Sequence, residues 1–550
     1  MVFNLLAFYR LQRMKSLMRG FRYALKNKKI EDIRVLESKL GCQQVEFVSG
    51  LIERKVFGSL WPRAEIMVRQ FLIQRYGGQG LRKSLFQQMG GGRLCVTHPL
   101  PIFWQTVLGE SGIKVNRWMA SFRWVMEIFF RYLHGAGVIV QLCVGGLLAG
   151  FSQSPRLGQH ARFHGLHSRN IPQSEVSGDR YDICSWYAGW SGRDPKIDTI
   201  LHNVTGMHHV KTGGLTVRFS PDSDMFLSSL RDTVRFIRWA VPSLILTLLG
   251  MLCGRWWNVL MLAEAARAAA VTCAPKETLA VDNMFHFSRA VYRPMWTYVA
   301  EMKGSRIICY FYSTYAQPRL SEDVKSQSFE WGPSTWPLFL VWNTFQAEVL
   351  KRDLESEVLI DVVGPIYFSD LVAEAPVLPD HAVAVFDIQP HRKSTRFGVS
   401  TLYEYYYGHP DVHSRFIEDI YAAIRIAGLS MALKAKRDIV TNGDRRYGTH
   451  VKRLAKEDDV VIVPPELAAP RLMNKCIGAI SSPFTSAALF FSDHGYPSVY
   501  YDPLGILFKD DSAACGIPVL NTKSELQVWL NNLYHAEIDR GSEDVMCKKL

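Results

Sequence analysis

The last third of the chain repeats one pattern, in which a short apolar run is followed by a longer run with helical spacing. The short runs predict strands, and two helical runs, over 414–427 and 485–494, are each followed by a glycine stop signal. Alternating strands and helices are typical of a parallel sheet of the Rossmann type. The predicted strands span residues 381–386, 429–433, 459–463, 476–480 and 498–501.

The preceding region shows the same alternation. Its predicted strands span residues 94–97, 279–282, 306–312, 338–342 and 358–363. We therefore predict an α/β protein with a basic helical region (1–90), an N-terminal Rossmann-like domain (91–375, with a helical insertion around 225–270) and a C-terminal Rossmann-like domain (376–550). Two such domains would face a cleft, because open α/β sheets bind ligands beyond the carboxyl ends of their strands.

Two apolar stretches raise the question of membrane contact. Residues 136–150 and 239–254 are each shorter than the about 20 apolar residues that a spanning helix needs. Arginines and tryptophans flank the second stretch, and these side chains suit the headgroup layer of a bilayer. We expect it to be a monotopic or buried helix. The first 29 residues predict a basic amphipathic helix, which would either lie on an anionic membrane or pack on the domain.

The net charge and the composition of the chain indicate which classes of ligand and chemistry to expect. The 550 residues carry a net charge of +13, which favours anionic partners such as nucleotides, nucleic acid or an anionic membrane surface. None of the ten cysteines forms a CxxC pair, so the sequence predicts reduced thiols in the cytosol. The chain has no phosphate-binding GxxxxGK[ST] loop, no HExxH and no GxSxG, and we predict no metal site.

Four hydroxyl side chains surround one proline near the C-terminus. Ser481 and Ser482 follow a predicted strand, and Thr485 and Ser486 begin the next predicted helix. The first turn of a helix offers free amides and a positive dipole, and hydroxyls add donors there, so this stretch predicts a phosphate cradle. The same residue types also cap helices, and that alternative stays open.

Charged side chains follow two other strands of the same predicted sheet. Lys434 and Arg437 follow the second strand, and they would neutralise the phosphate of a leaving group. Asp387 ends the first strand, and Arg392 comes five residues later, where it would hold a phosphate or an acidic sugar. A solvated basic loop and a structural turn are the alternatives for these residues.

Asp282 and His286 are the candidate catalytic residues. Both are predicted to lie at the end of a strand in the N-terminal domain, where a carboxylate or an imidazole suits a general base. Such a base would remove the proton from an acceptor hydroxyl. The alternative for each of them is an ordinary hydrogen-bonded side chain in a loop.

Several strings between about residues 270 and 505 resemble bacterial glycosyltransferases of surface-polysaccharide biosynthesis. They include FHFSRAVYRPMWTYVAEMKGSRIICYFYST, WPLFLVWNTFQAEVL, IDVVGPIYFSD and SSPFTSAALFFSDHGYPSVYYDP. The resemblance implies the GT-B fold, with two Rossmann-like domains and no bound metal, and it implies that the four hydroxyls hold the donor phosphate. Similar motifs occur in transferases of CMP-activated acidic sugars, which usually also carry Lys-x-His-Pro. The corresponding stretch here is Lys434-Ala435-Lys436-Arg437.

The expected function is therefore that of a metal-independent, GT-B-like glycosyltransferase without a cofactor. It would transfer a sugar from a nucleotide-sugar donor to a lipid-linked or oligosaccharide acceptor of a capsule or O-antigen. The donor could be a CMP-activated acidic sugar. We expect a cytoplasmic protein at the inner face of the cytoplasmic membrane, with no nucleic-acid partner. A nucleotide-sugar epimerase and a non-catalytic polysaccharide-assembly protein on the same fold are the alternatives.

Overall fold

A computed structural model shows a mixed α/β protein with two large parallel sheets and a group of long helices, so the predicted α/β class is confirmed. The predicted amphipathic helix at the N-terminus falls, except for its last residue, outside the described residues, as do Arg392 and Arg437. The structure describes residues 29–43, 45, 50–89, 95–151, 159–166, 168–171, 183–206, 209–221, 227–286, 292–314, 332–366, 377–388, 390, 407–435, 444–464, 467 and 469–547.

Fifteen α-helices and five 3₁₀ helices lie in the described residues. The helices are α1 Lys29–Gly41, α2 Leu51–Phe57, α3 Ala64–Tyr76, α4 Gln79–Met89, α5 Ile102–Glu110, α6 Arg117–Phe151, α7 Ile183–Gly189, α8 Leu230–Leu252, α9 Trp256–Cys273, α10 Met295–Met302, α11 Thr344–Asp353, α12 Pro410–Ile426, α13 Arg445–Leu454, α14 Ser486–Asp493 and α15 Lys523–Cys547. The 3₁₀ helices are Gly58–Arg63, Ser168–Asn170, Lys276–Thr278, Ala469–Lys475 and Ser512–Ala514.

The first sheet has eight strands in the order β3-β4-β2-β1-β5-β6-β7-β8. Neighbouring strands are parallel except for the β3–β4 hairpin. The order of the strands reverses between β1 and β5, which makes this pair the switch point of the sheet. The strands are β1 His160–His164, β2 Thr199–His202, β3 Val210–Thr212, β4 Leu215–Phe219, β5 Asp282–His286, β6 Arg306–Tyr310, β7 Leu338–Val341 and β8 Leu359–Val362.

The second sheet has six parallel strands in the order β11-β10-β9-β12-β13-β14. Counted from β9, this is the order 3-2-1-4-5-6 of the dinucleotide-binding fold, with its switch point between β9 and β12. All five strands predicted for this part of the chain are present. The strands are β9 Ala382–Asp387, β10 Ser430–Ala435, β11 Val460–Val463, β12 Gly478–Ser481, β13 Ser498–Tyr501 and β14 Val519–Leu520.

Side chains of β9 point alternately to two cores, because the period of a strand is two residues. Val383 and Val385 pack with apolar side chains of α12, α13 and α15 on one face of the sheet. Ala384 and Phe386 pack with α14 and the Ala469–Lys475 3₁₀ helix on the other face. Since the helices that follow β9 and β12 cover opposite faces, a crevice opens between the carboxyl ends of these two strands.

The first sheet corrects two strand predictions. Asp282 does not end a strand but begins β5, and residues 94–97 form only an isolated bridge between Val96 and Val115. Strands β1 to β4 were not predicted from the sequence, and β1 is hard to identify because its residues HARFH mix polar and apolar side chains at buried positions. Arg162 within it is buried because its guanidinium donates to Ser220 Oγ at 2.6 Å. A buried polar residue with a partner breaks the apolar pattern that identifies a strand.

The two apolar stretches belong to longer helices than the sequence predicted. Residues 136–150 are the second half of α6, which has 35 residues, and residues 239–252 are the second half of α8. Two helical segments, Arg117–Gly150 and Leu230–Leu252, are long and apolar enough to cross a membrane by length and composition alone. Both pack against α9, which leads into β5.

The carboxyl edges of the two sheets contact each other. Thr314, which follows β6, donates its amide to Ser486 Oγ at 3.2 Å. Asn343, which follows β7, donates from Nδ2 to Cys515 Sγ at 3.5 Å. Residues of the second sheet such as Phe484 also share the apolar core of the first sheet. The loops after the strands, where an α/β sheet binds ligands, therefore lie side by side in the two sheets.

Candidate functional site

A tight turn connects β12 to α14 at the switch point of the second sheet. The Ser482 amide donates to the Phe386 carbonyl at 2.8 Å, which ties the turn to β9. The Thr485 amide closes the turn on the Ser482 carbonyl at 3.3 Å. Phe484 has a φ of 58°, a left-handed conformation that costs energy for any residue other than glycine. Its ring stacks on Tyr500 with a centroid distance of 5.4 Å, and this contact holds the turn in shape.

Two hydroxyls in this turn are buried and have no hydrogen-bond partner among the described residues. They are Ser481 Oγ, in a residue with 0% exposure, and Thr485 Oγ1. Thr485 is the N-cap residue of α14, yet its side chain makes no capping hydrogen bond. The capping alternative is therefore wrong for Thr485 in this structure. Buried hydroxyls without a partner are uncommon, and a bound ligand with acceptor oxygens is one group that satisfies them.

The other two hydroxyl residues of the stretch have different surroundings. Ser486 Oγ accepts from the Thr314 amide, so it contributes to the contact between the two sheets. Ser482 is buried and contributes its amide to the turn. The four predicted cradle residues are thus close together, and two of them, Ser481 and Thr485, have hydroxyls that no side chain or backbone group of the described chain uses.

Asp387 lies where the sequence predicted it, at the carboxyl end of β9. Its Oδ1 lies 2.5 Å from His413 Nδ1 on α12, and its Oδ2 accepts from Tyr447 OH on α13. Burial raises the pKa of Tyr447 well above its usual value, and the Asp387 charge raises it further, so the phenol is a neutral donor. Because both carboxylate oxygens are occupied, Asp387 positions α12 and α13 around the crevice instead of presenting a free oxygen to a ligand.

His413 and Tyr447, the two partners of Asp387, were not predicted from the sequence. His413 is 2% exposed, and its Nε2 is buried without a partner among the described residues. Both residues come from helices that lie far from Asp387 in the sequence, so only the folded chain brings them together. A histidine in the first helical turn after the strand that ends in Asp387 was the one available signal, and it is weak.

Lys434 is half-buried at the carboxyl end of β10, where it pairs with Phe386 of β9 in the register of the sheet. It therefore lies at the same sheet edge as the turn before α14, one strand beyond Asp387. The sheet therefore places the Lys434 backbone at the edge where a role in phosphate binding requires it, and that role stays a prediction.

His286 ends β5 at the carboxyl edge of the first sheet. Its ring stacks on Tyr312 with a centroid distance of 4.3 Å and an interplanar angle of 13°. Tyr312 is two residues before Thr314, whose amide contacts Ser486 in the turn before α14. His286 therefore lies on the side of the first sheet that faces the candidate phosphate cradle.

A second histidine, His164, ends β1 on the other side of the switch point of the first sheet. Its ring stacks on Phe285 at 4.2 Å, and its Nε2 lies 3.2 Å from Asn283 Oδ1. His164 was not predicted as a site residue because β1, which ends in it, was not predicted as a strand. The string HARFHG, a strand-length run that ends in histidine and glycine, was the signal that could have identified it.

Asp282 is not placed for the predicted role of a base. It is fully buried at the amino end of β5, at the opposite edge of the sheet from His286. Its Oδ2 accepts from Tyr187 OH at 2.7 Å, and the Arg306 guanidinium donates to both carboxylate oxygens at 2.7 and 2.6 Å. Asp282 therefore stabilises the amino end of the sheet, and its assignment as a catalytic residue was wrong in position.

We expect Asp282→Asn to destabilise the fold and to leave ligand binding unchanged. Breaking a buried ion pair costs several kcal/mol, but Arg306 is 42% exposed and can be hydrated, so we expect a loss of about 2 kcal/mol. Urea unfolding measures this loss. The exposed Asp361→Asn on β8 is the matched control and should unfold like the wild type. Unchanged stability combined with lost turnover would restore Asp282 as a base.

A protein-family model matches residues 243–530, slightly more than half of the chain. Its description is "Polysaccharide biosynthesis PFTS motif protein". The letters PFTS occur once in this sequence, as Pro483-Phe484-Thr485-Ser486. These four residues form the strained turn and the start of α14 described above.

A search of curated proteins found no match. Among solved structures, the chain is similar to the UDP-GlcNAc 2-epimerase from Methanocaldococcus jannaschii, with 9% sequence identity. The match covers 68% of this chain and 91% of that chain, with a TM-score of 0.31. A TM-score this low does not establish a shared fold.

Proposed function

Because the chain belongs to the polysaccharide biosynthesis PFTS motif family, we propose that it is a glycosyltransferase of a bacterial surface polysaccharide, a capsule or an O-antigen. It would move a sugar from a nucleotide-sugar to a lipid-linked or oligosaccharide acceptor, without a metal ion or a cofactor. The two doubly wound sheets would act as the two halves of a GT-B-like enzyme. The second sheet would bind the donor, and the first sheet would bind the acceptor.

One observation carries this proposal: Ser481 Oγ and Thr485 Oγ1 are buried donors at the switch point of a 3-2-1-4-5-6 sheet, and neither has a partner among the described residues. The switch point is where such sheets bind nucleotides. The first turn of α14 has no side-chain cap, so its amides are available to the same ligand. Phosphate oxygens accept from both kinds of donor, and the helix dipole favours their negative charge.

The proposed reaction is a displacement at the anomeric carbon of the donor sugar. The acceptor hydroxyl oxygen forms the new glycosidic bond as the bond from the anomeric carbon to the phosphate oxygen breaks. The acceptor proton passes to His286, and the nucleotide leaves with the bonding electron pair. Ser481, Thr485 and Lys434 stabilise the charge that develops on the leaving phosphate, which is the usual role of positioned donors and cations.

A thermal-shift panel of the purified protein with CMP, UDP, GDP and dTDP at equal concentrations tests the proposal. A nucleotide that binds only the folded state raises its stability, by about 2.7 kcal/mol at a concentration one hundred times its Kd. We expect one nucleotide to raise the Tm clearly above the other three, and CMP would indicate an activated acidic sugar. Sodium sulfate at matched ionic strength is the control, because a chain with charge +13 binds anions weakly and without specificity.

Two results would contradict the proposal. Equal shifts with all four nucleotides and with sulfate would indicate non-specific binding of anions. No shift with any nucleotide would favour a protein that assembles polysaccharide without catalysing sugar transfer.

A further inference from the structure

The outward faces of α6 and α8 are apolar although they are exposed. On α6 the exposed side chains include Trp118, Phe122, Phe130, Val144 and Leu148, which recur at helical spacing along the whole helix. On α8 the exposed apolar side chains include Leu230 and Val234 and are densest from Val241 to Leu252. We call these side chains together the apolar face. Contiguous apolar patches of this length are uncommon on soluble monomers and indicate a binding surface.

From Val241 onwards, the inward face of α8 is more polar than its outward face. Ser243 and Thr247 are fully buried, and their hydroxyls have no hydrogen-bond partner among the described residues. A helix on the surface of a water-soluble protein has the opposite arrangement, with its apolar side chains inward. Small and hydroxyl side chains at helix–helix contacts, with apolar side chains outward, are typical of helices in lipid.

Glycines allow α6 to pack closely against its neighbours. A Cβ at Gly146 would lie 2.4 Å from Thr233 Oγ1 of α8, and one at Gly135 would lie 2.8 Å from the Leu262 side chain of α9. The contacts of Gly150 with Leu230 and of Tyr132 with Leu244 show that α6 and α8 run antiparallel. Close packing through glycines holds helices together where lipid removes the hydrophobic driving force between them.

Three exposed arginines on α8 lie beside the apolar face. Arg231, Arg235 and Arg238 occupy the first half of the helix, and none of them forms an ion pair with a described residue. Unpaired cations next to an apolar surface match an anionic headgroup layer above hydrocarbon. This charge pattern favours an anionic bilayer over an apolar protein partner.

We propose that the apolar face inserts into one leaflet of an anionic membrane, with α6 and α8 lying along its plane. Beyond the last charged residue of each helix, Arg131 on α6 and Arg238 on α8, the exposed apolar positions extend over about 22 Å (133–148) and about 17 Å (241–252), at 1.5 Å per residue. Neither length matches the about 30 Å of a hydrocarbon core. Insertion in the plane accommodates both helices, and it also explains why one side of each remains packed on α9.

Flotation of the full-length protein with preformed vesicles tests this proposal. We expect capture by phosphatidylcholine vesicles, and stronger capture when they contain phosphatidylglycerol. Phe130→Glu combined with Ile245→Glu places a charge on each helix of the apolar face and should weaken capture at least about tenfold. Arg231→Gln combined with Arg235→Gln should remove the preference for phosphatidylglycerol, because each lost arginine should weaken binding to these vesicles about fivefold.

Val377→Glu is the matched control, because it adds the same charge at a 95% exposed apolar residue outside α6 and α8. This variant should float like the wild type. A variant with an altered phosphate cradle should also float like the wild type, so that failure of the proposed function and failure of membrane binding can be distinguished. Wild-type protein that does not float with either vesicle overturns the proposal, as does equal capture of the double glutamate variant. Capture only after detergent-mediated reconstitution would mean that the helices span the bilayer, and it would overturn insertion along the plane.

Discussion

The Ser481→Ala, Thr485→Val double variant is expected to bind the donor nucleotide about a hundredfold more weakly than the wild type and to unfold at the same or a higher temperature. Hydrogen bonds to charged groups contribute about 1.5–3 kcal/mol each, so two lost hydroxyls have a large effect on affinity. The same hydroxyls have no hydrogen-bond partner in the part of the chain that the structure describes, and removing a buried unsatisfied hydroxyl does not destabilise a fold. Isothermal titration and a thermal melt measure the two effects.

Ser229→Ala is the matched control for that variant. Ser229 caps α8, where its Oγ accepts from the Asp232 amide at 3.2 Å, so its loss should cost about 1 kcal/mol of stability without changing nucleotide affinity. The double variant is therefore expected to lose nucleotide affinity and to keep its stability, whereas Ser229→Ala is expected to lose stability and to keep its nucleotide affinity. A double variant that melts well below the wild type and still binds nucleotide would mean that its hydroxyls are structural.

The second large effect is expected for His286→Phe. A phenyl ring can keep the stacking on Tyr312 but cannot accept a proton, so turnover should fall by about 10²–10⁴-fold, the usual contribution of a general base. Donor affinity should stay within about twofold of the wild type, because His286 belongs to the first sheet and the phosphate cradle to the second. Sugar transfer with saturating donor, together with a separate binding titration, distinguishes the two quantities.

His164→Phe is the comparison for this experiment. His164 lies on the other side of the same switch point and stacks on Phe285, so the substitution again preserves an aromatic contact. We expect a smaller loss of turnover than for His286→Phe. The reverse order of the two losses would transfer the role of base to His164, and equal activity of His286→Phe and wild type would exclude His286.

Five of the six strands of the second sheet could be predicted from the sequence because each of them is a short apolar run, whereas the two-residue β14 was not predicted. The turn after β12 could also be located, since four hydroxyls and a proline between a strand and a helix are visible in the chain itself. The sequence does not show which of these hydroxyls form hydrogen bonds within the folded chain. Thr485 and Ser486 are adjacent and chemically similar, yet the Thr485 hydroxyl has no partner among the described residues, whereas Ser486 contacts Thr314, which follows a strand of the first sheet.

The first sheet was harder to predict because its central strands contain buried polar residues. Arg162 in β1 and Asp282 in β5 are buried only because folding supplies Ser220, Tyr187 and Arg306 as partners. These partners are separated from them by 24 to 95 residues in the sequence. A local pattern cannot reveal such pairs, which is why Asp282 was taken for the end of a strand and His164 was overlooked.

The left-handed conformation of Phe484 reduces the conformational entropy that the turn loses when a ligand binds. A residue in this conformation costs about 1 kcal/mol, whereas stacking and burial of an aromatic ring recover about 2 kcal/mol or more. Glycine would adopt the same backbone without strain, but it would leave the turn free to sample many others. A phenylalanine keeps the turn preorganised, so that an arriving phosphate group meets amides and hydroxyls already in position and loses little affinity to ordering of the loop.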